Sequence, residues 1–332
     1  MYKVARESKK NREVLFTNTA EKKGMHPAII EKDFWVCFLL ELLFHQSEYA
    51  KYLSFKGGTS LSKGYQAIQR FSEDIDIIMD WTLLGYTKDE PWLERSNTKQ
   101  DQFNKAMGAK TEQFLKDVIM PSFASLVKKH VGDSFDFYIS ESDPQTINFV
   151  YPQLYKNKSI LQEIRLEIGA LAAWTPVCNR WVTPYSCEEY PKVFQLPKSL
   201  IRMMGAKRTF WEKVTILHSE ANRVNGQLPD RYSRHYYDLF MLSHTEIKVE
   251  AFQDTLLLDA VVRFKEKFYR SPWSKYDDAT VKSIKLMPPE NSITNLKVDY
   301  KKMQGMIFGE KIPFNEIMKG IKSLEKEIHH LL

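Results

Sequence analysis

Asp74 and Asp76 are separated by a single isoleucine in the run Arg70-Phe71-Ser72-Glu73-Asp74-Ile75-Asp76-Ile77-Ile78-Met79. In an extended chain, residues two apart project from the same face, so Ile75 and Ile77 are left for the core. Two carboxylates on one face repel each other and raise each other's proton affinity unless a hard cation lies between them. Magnesium suits that position, because it prefers oxygen ligands and commonly takes one or two carboxylates together with substrate phosphates. Upstream lies Phe55-Lys56-Gly57-Gly58-Thr59-Ser60-Leu61. Its glycines allow backbone to approach a phosphate, and a helix start there offers free N–H groups to phosphate oxygens. The expected order is a short strand at Tyr52–Phe55, a turn at Gly57-Gly58, then a helix over Ser60–Ile68 capped by Thr59 or Ser60. A Gly-Gly-Thr-Ser turn followed by an Asp-x-Asp strand is an arrangement that grips a nucleoside triphosphate and its magnesium.

A third acidic strand follows at Glu163-Ile164-Arg165-Leu166-Glu167-Ile168. Ile164, Leu166 and Ile168 alternate with Glu163, Arg165 and Glu167, so one face is apolar and the other charged. Glu167 is a candidate third metal ligand, or the base that takes a proton from an attacking hydroxyl. The competing reading is a surface glutamate paired with a neighbouring arginine.

The segments Lys56-Gly57-Gly58-Thr59-Ser60-Leu61-Ser62-Lys63-Gly64-Tyr65 and Arg70-Phe71-Ser72-Glu73-Asp74-Ile75-Asp76-Ile77 resemble the AbiEii/AbiGii toxin family of nucleotidyltransferases, a branch of the DNA polymerase β-like superfamily. Further similarities run through Glu31-Lys32-Asp33-Phe34-Trp35-Val36, Arg165-Leu166-Glu167-Ile168-Gly169, Arg208-Thr209-Phe210-Trp211-Glu212-Lys213 and Arg234-His235-Tyr236-Tyr237-Asp238-Leu239. The resemblance implies an α+β protein: a nucleotidyltransferase core with a mixed sheet flanked by helices, and a mostly helical C-terminal domain completing the active-site cleft. It also implies magnesium-dependent transfer of a nucleoside monophosphate by the toxin of a type IV toxin–antitoxin or abortive-infection system, with an antitoxin encoded nearby. Some relatives modify the 3′ end of tRNA; others are suspected to modify proteins. By position, Gly57, Gly58, Thr59 and Ser60 fall in the phosphate-binding turn, and Asp74, Asp76 and Glu167 in the metal and catalytic set. Lys213 matches an essential lysine that would hold the triphosphate. Asp238 matches the aspartate of the last motif. His235 stands where that motif often carries another aspartate.

The residues around those later motifs support the same assignment. Phe210, Val214, Leu217, Ala221 and Val224 form one stripe at helical spacing, which leaves Lys213 off the seam and predicts that it reaches outward into a cleft. There an ammonium would neutralise phosphate oxygens as pyrophosphate leaves. Asp238, in the aromatic helix of residues 235–242, needs a cationic partner, which Lys213 or Arg234 could supply.

The mechanism expected is in-line attack by an acceptor hydroxyl on the α-phosphate of the bound triphosphate, driven by positioning and charge neutralisation. Two other readings differ in the acceptor or the activity. One is a protein-directed enzyme moving a nucleotide or phosphate onto a hydroxyl side chain. The other is a non-catalytic RNA-binding module, which the retention of Asp74, Asp76 and Glu167 disfavours.

With 332 residues, 20 Phe, 16 Tyr and 7 Trp, the chain has ample material for a folded core. Its 48 basic and 42 acidic residues give a formal charge of +6, which permits nucleic acid without announcing it. Lys192, Lys198, Arg202, Lys207, Arg208 and Lys213 share a segment poor in acids, suited to RNA phosphates. In 263–273, Arg263, Lys265, Lys267, Tyr269, Arg270 and Trp273 mix bases with aromatics, a pattern that equally suits RNA stacking or a solvated helix face. Three cysteines, Cys37, Cys178 and Cys187, make no paired framework, which fits a reducing cytoplasm. No signal peptide or membrane-spanning run is apparent, and no zinc pattern.

Helices are expected over 8–23, 27–46 and 102–129, a surface loop over 82–101, and strands at 135–139, 147–151 and 160–169. Beyond the proline-bearing stretch 176–197 the pattern is mostly helical, ending in a stripe of Phe314, Ile317, Ile321, Leu324 and Ile328. The expected division is a core domain over 1–190 and a helical domain over 191–332, with the border between 185 and 200.

Overall fold

The computed structural model describes residues 1–157, 160–173, 175–223 and 229–331. Val224, the last residue of the stripe expected near Lys213, lies outside the described residues. The chain forms two compact units, one of Met1–Tyr65 with Phe71–Met204, the other of Gln66–Arg70 with Gly205–Leu332.

The first unit is built on a mixed sheet. Among the described residues its strands are β1 (Leu53–Lys56), β2 (Ile75–Met79), β3 (Asp136–Ser140), β4 (Asp143–Val150), β5 (Ile164–Gly169), β6 (Val177–Val182) and β7 (Ser199–Met204), in the order β3-β4-β5-β2-β1-β7-β6. At its centre β2 runs antiparallel to β1 and parallel to β5. The helices of this unit are α1 (Tyr2–Arg6), α2 (Lys9–Lys23), α3 (Pro27–Glu41), α4 (Gly57–Lys63), α5 (Asn97–Phe114), α6 (Met120–Val131) and α7 (Tyr185–Glu189). The sequence of α3 is apolar on nearly every side from Phe34 to Leu40, and that whole run is buried. A helix without a polar face belongs inside a core, and here it joins Phe55, Ile75, Ile77, Ile164, Leu166 and Ile168 in one cluster. The alternation read in β2 and β5 is realised, with Ile75, Ile77, Ile164, Leu166 and Ile168 all buried.

Local chemistry sets several boundaries. Ser8 caps α2 by accepting the N–H of Asn11, and Gly24 closes it in the left-handed region at φ 62°. The helix expected over Ser60–Ile68 instead starts at Gly57 and stops at Lys63. Gly64 lies so close to Met203 that a Cβ there would sit 2.4 Å from its sulfur, and Gln66 turns the chain away at φ 52°. The helix expected over 102–129 begins earlier, at Asn97, and ends at Val131, interrupted by a wider i→i+5 turn at Leu115–Ile119. That turn precedes Pro121, which has no N–H and presses on the carbonyl four residues back. Residues 82–101, read as loop, contain single 3-10 turns at Trp81–Leu84 and Glu90–Trp92.

Strands β6 and β7 were not foreseen. β6 is an edge strand whose Val177, Asn179, Arg180 and Trp181 are exposed, so no alternating apolar face marks it in the sequence.

The second unit is mostly helical: α8 (Ala206–Ala221), α9 (Ser233–Ser243), α10 (Glu246–Phe252), α11 (Leu256–Phe268), α12 (Glu290–Met303) and α13 (Phe314–His329). In α8, Phe210, Val214 and Leu217 are buried as the stripe requires; in α13, so are Phe314, Ile317, Ile321, Leu324 and Ile328. The early segment Gln66–Arg70 belongs to this unit through a bridge between Arg70 and Ile307 and a 3.0 Å bond from the N–H of Phe308 to the carbonyl of Gln69. Among the described residues, no helix is long and apolar enough to cross a membrane.

Candidate active site

The sheet of the first unit brings the acidic residues together by register. Asp76 of β2 stands opposite Lys56 of β1 on one side and opposite Glu167 of β5 on the other. Asp74 lies just before β2, two residues from Asp76 and therefore towards the same face. β1 leads directly into α4, so the Gly-Gly-Thr-Ser segment begins where the Asp76 side chain projects.

Gly57 is held at φ 77°, a conformation that glycine adopts without strain. A Cβ on it would lie 1.8 Å from Asp76 Oδ2. The carboxylate therefore rests directly on the first residue of α4, in space that any side chain would fill. The hydroxyls of Thr59 and Ser60 are both buried and turned inward. Thr59 Oγ1 donates to the carbonyl of Asp74 at 2.6 Å, and Ser60 Oγ donates to the carbonyl of Gly57 at 2.8 Å. Thr59 thus fastens α4 to the residue ahead of β2. Contacts from this segment to a phosphate would fall to backbone N–H groups at Gly57 and Gly58, which are part-exposed.

The charge balance of the cluster is strained. Burial, then Glu73 and Asp76, raise the proton affinity of Asp74, and Arg165 and Lys32 only partly oppose this. Glu167 is pushed up to about 7 by burial and by Asp76 and Asp74, against Arg165. Arg165 lies 3.3 Å from Glu167, so the pairing considered as the alternative does form, but the same guanidinium group also bonds Asp143. One arginine shared in this way leaves the acidic face in need of positive charge. Among the described residues, no three of His, Cys, Asp and Glu are arranged to hold a metal ion by themselves. The donor set still fits magnesium, which needs only one or two carboxylates when substrate oxygens complete its shell.

In the second unit, Lys213 is buried rather than directed outward. Its Nζ lies 2.7 Å from Asp238 Oδ2. Arg70 grips the same carboxylate through two donors, Nε to Oδ1 at 2.7 Å and Nη2 to Oδ2 at 2.8 Å. Burial alone would raise the Asp238 carboxyl, yet Arg70 and Lys213 hold it well below the ordinary carboxylate range. Burial lowers the Lys213 ammonium, which Asp238 counteracts. Burial, Lys213 and Arg234 push His235 well below the usual imidazole range, so it stays neutral at neutral pH. The partner expected for Asp238 was Lys213 or Arg234. Nothing in the residues around Asp238 points to Arg70, 168 residues away, beyond the aspartate's need for positive charge.

A sheet that presents carboxylates beside a glycine-led helix start is an arrangement suited to nucleotidyl transfer, and the comparison of sequences shows the class and the family together. The profile of the family described as "Nucleotidyl transferase AbiEii toxin, Type IV TA system" matches residues 41–320. The chain belongs to that family. It is a nucleotidyltransferase toxin of the type IV toxin–antitoxin kind. Among solved structures it is similar to MenT4, a nucleotidyltransferase toxin from Mycobacterium tuberculosis H37Rv, at 14% identity and a TM-score of 0.49 over 95% of this chain and 97% of that one. No curated protein matches the sequence.

Proposed function

We propose that this toxin transfers a nucleoside monophosphate from a nucleoside triphosphate to an acceptor hydroxyl, with the 3′ end of a tRNA as the acceptor. The observation that carries the reading is the seat of Asp76, between Gly57 and Glu167 at the start of α4. Asp74 and Asp76 are the residues that would hold magnesium, with Glu167 as a further ligand or as the base, and the ion when bound would supply positive charge to offset the charge developing on the phosphates. Backbone N–H groups at the start of α4 orient the triphosphate. As the base, Glu167 would accept the proton of the attacking hydroxyl from its place beside Asp76 across the register of β2 and β5. In the second unit, Lys213, paired with Asp238, is the residue proposed to meet phosphate oxygens. The proposed compartment is the cytoplasm, where Cys37, Cys178 and Cys187 would remain the free thiols they are here. The antitoxin is expected to be encoded nearby.

The deciding experiment incubates the purified protein with magnesium, each α-labelled nucleoside triphosphate in turn, total tRNA and cell protein, beside an Asp74→Ala/Asp76→Ala control. Label in tRNA that vanishes in the control is the expected result. Label in protein alone would move the acceptor to a polypeptide, and label in neither would overturn the reading.

A further inference from the structure

Three consecutive charged residues on α3, Glu31, Lys32 and Asp33, are buried to 0%, 0% and 2% exposure. Successive side chains of a helix point about 100° apart, so a surface helix would leave at least one of them in water. Each instead reaches a different part of the first unit. The Glu31 carboxylate accepts the N–H groups of Leu154 and Tyr155, at 2.8 and 3.2 Å. Lys32 Nζ donates to Glu73 Oε2 at 2.8 Å and to the carbonyl of Leu161 at 2.7 Å. Asp33 pairs with Lys63 Nζ at 2.7 Å and accepts the N–H of Tyr185 at 2.6 Å.

The places reached are the approaches to the candidate site. Glu73 is the residue before Asp74, and Leu161 lies just ahead of β5, which carries Glu167. Lys32 therefore ties together the lead-in of the two parallel strands whose carboxylates stand side by side. Lys63 is the last residue of α4, the helix that starts under Asp76. Asp33 thus fixes the far end of the element whose near end forms the phosphate turn. Burial alone would drive the Lys63 ammonium down, but Asp33 carries it up, while burial raises the Asp33 carboxyl against the pull of Lys63.

Stability does not account for this arrangement. A buried ion pair usually contributes no more than well-packed apolar residues of the same volume, whereas a single lost partner is costly. Directional bonds also fix the distance and orientation between segments that are remote in sequence. We infer that Glu31-Lys32-Asp33 is a buried positioning hub, in which Lys32 sets the carboxylates of β2 and β5 against each other and Asp33 sets α4 against them. The inference rests on the proposed site at Asp74, Asp76 and Glu167.

The test removes the tie without leaving a lone buried charge, in a Lys32→Met/Glu73→Gln variant of the full chain. Two quantities are measured: thermal unfolding, and magnesium-dependent binding of non-hydrolysable analogues of the four nucleoside triphosphates. The expected result is near-native unfolding with affinity reduced at least about tenfold, since removing the groups that orient metal ligands typically costs about ten- to a hundredfold in metal affinity. Wild-type affinity in the folded variant overturns the inference. Should the double variant not fold, Glu73→Gln alone keeps an acceptor for Lys32 and reads the same geometry, with a smaller loss expected and none overturning it. Asp74→Ala is the reference. If it binds nucleotide like the wild type, the site reading fails; if it loses binding while the hub variant keeps it, only the hub fails.

Discussion

Gly57 and Asp76 occupy one another's space: the position a Cβ of Gly57 would take lies 1.8 Å from Asp76 Oδ2. The glycine is therefore part of the carboxylate's seat, and its backbone angle of φ 77° is a second reason for its identity. Gly57→Ala is expected to abolish nucleotide transfer, at least about a hundredfold, by displacing Asp76. Gly85 has a similar φ of 84° but nothing within 4 Å of its missing Cβ. Gly85→Ala should cost only left-handed strain, about 1 kcal/mol, and leave the rate unchanged. Equal activity in the two alanine variants would refute the packing argument.

The acidic cluster should cost stability in the absence of metal. Because Asp74 and Glu167 are both raised partly by Asp76, Asp76→Asn relieves repulsion. Its melting temperature in chelator-treated buffer is expected to exceed that of the wild type, by an amount equivalent to roughly 0.5–2 kcal/mol, while transfer is lost. A variant that is both inactive and less stable would show that Asp76 is held by favourable contacts.

Asp238 gives a pH prediction of the opposite kind. Its proton affinity is lowered in the folded state, so the unfolded chain binds the extra proton and the carboxylate's contribution to stability is lost as the pH falls. That contribution is complete above the ordinary value of 3.8. Asp238→Asn leaves Arg70 and Lys213 without their anion and is expected to cost roughly 3–5 kcal/mol at pH 7. In denaturant unfolding, the gap between the two proteins should narrow below about pH 4; a constant gap would refute the assignment.

Glu31 titrates in the other direction. Burial pushes its carboxyl from 4.5 up to about 7, against the N–H groups of Tyr155 and Leu154 and the charge of Arg12. Between those values the folded protein binds the extra proton, so wild-type stability falls as the pH rises. Glu31→Gln is neutral throughout. Its melting temperature should gain on that of the wild type from pH 5 to pH 8, and parallel curves would show that the carboxylate is ionised across the range.

The parts of the fold legible in the sequence were those where burial imposes a period. β2 and β5 declared themselves because one face of each is core, and α13 because its apolar stripe repeats at helical spacing. α4 was placed three residues late, because a glycine pair reads as a turn when the strand and carboxylate packed against it are not visible. β6 hid because its side chains face water on both sides of the sheet edge. Asp74, Asp76 and Glu167 were legible as candidates from local spacing alone. The burial of Lys213, and of Lys32 with Asp33, was not, since each depends on a partner far along the chain.

The bond between Arg70 and Asp238 also has a consequence in time. At ribosomal rates of about 5–20 residues per second, the 168 residues between them take roughly 8 to 34 seconds to make. Through that interval the segment Gln66–Arg70 is already synthesised, while most of the unit to which it belongs is not. Its neighbours on both sides belong to the unit whose sequence is finished first. The Arg70–Asp238 bond therefore forms only after Asp238 is made, and a chain stopped at Met204 lacks that carboxylate altogether.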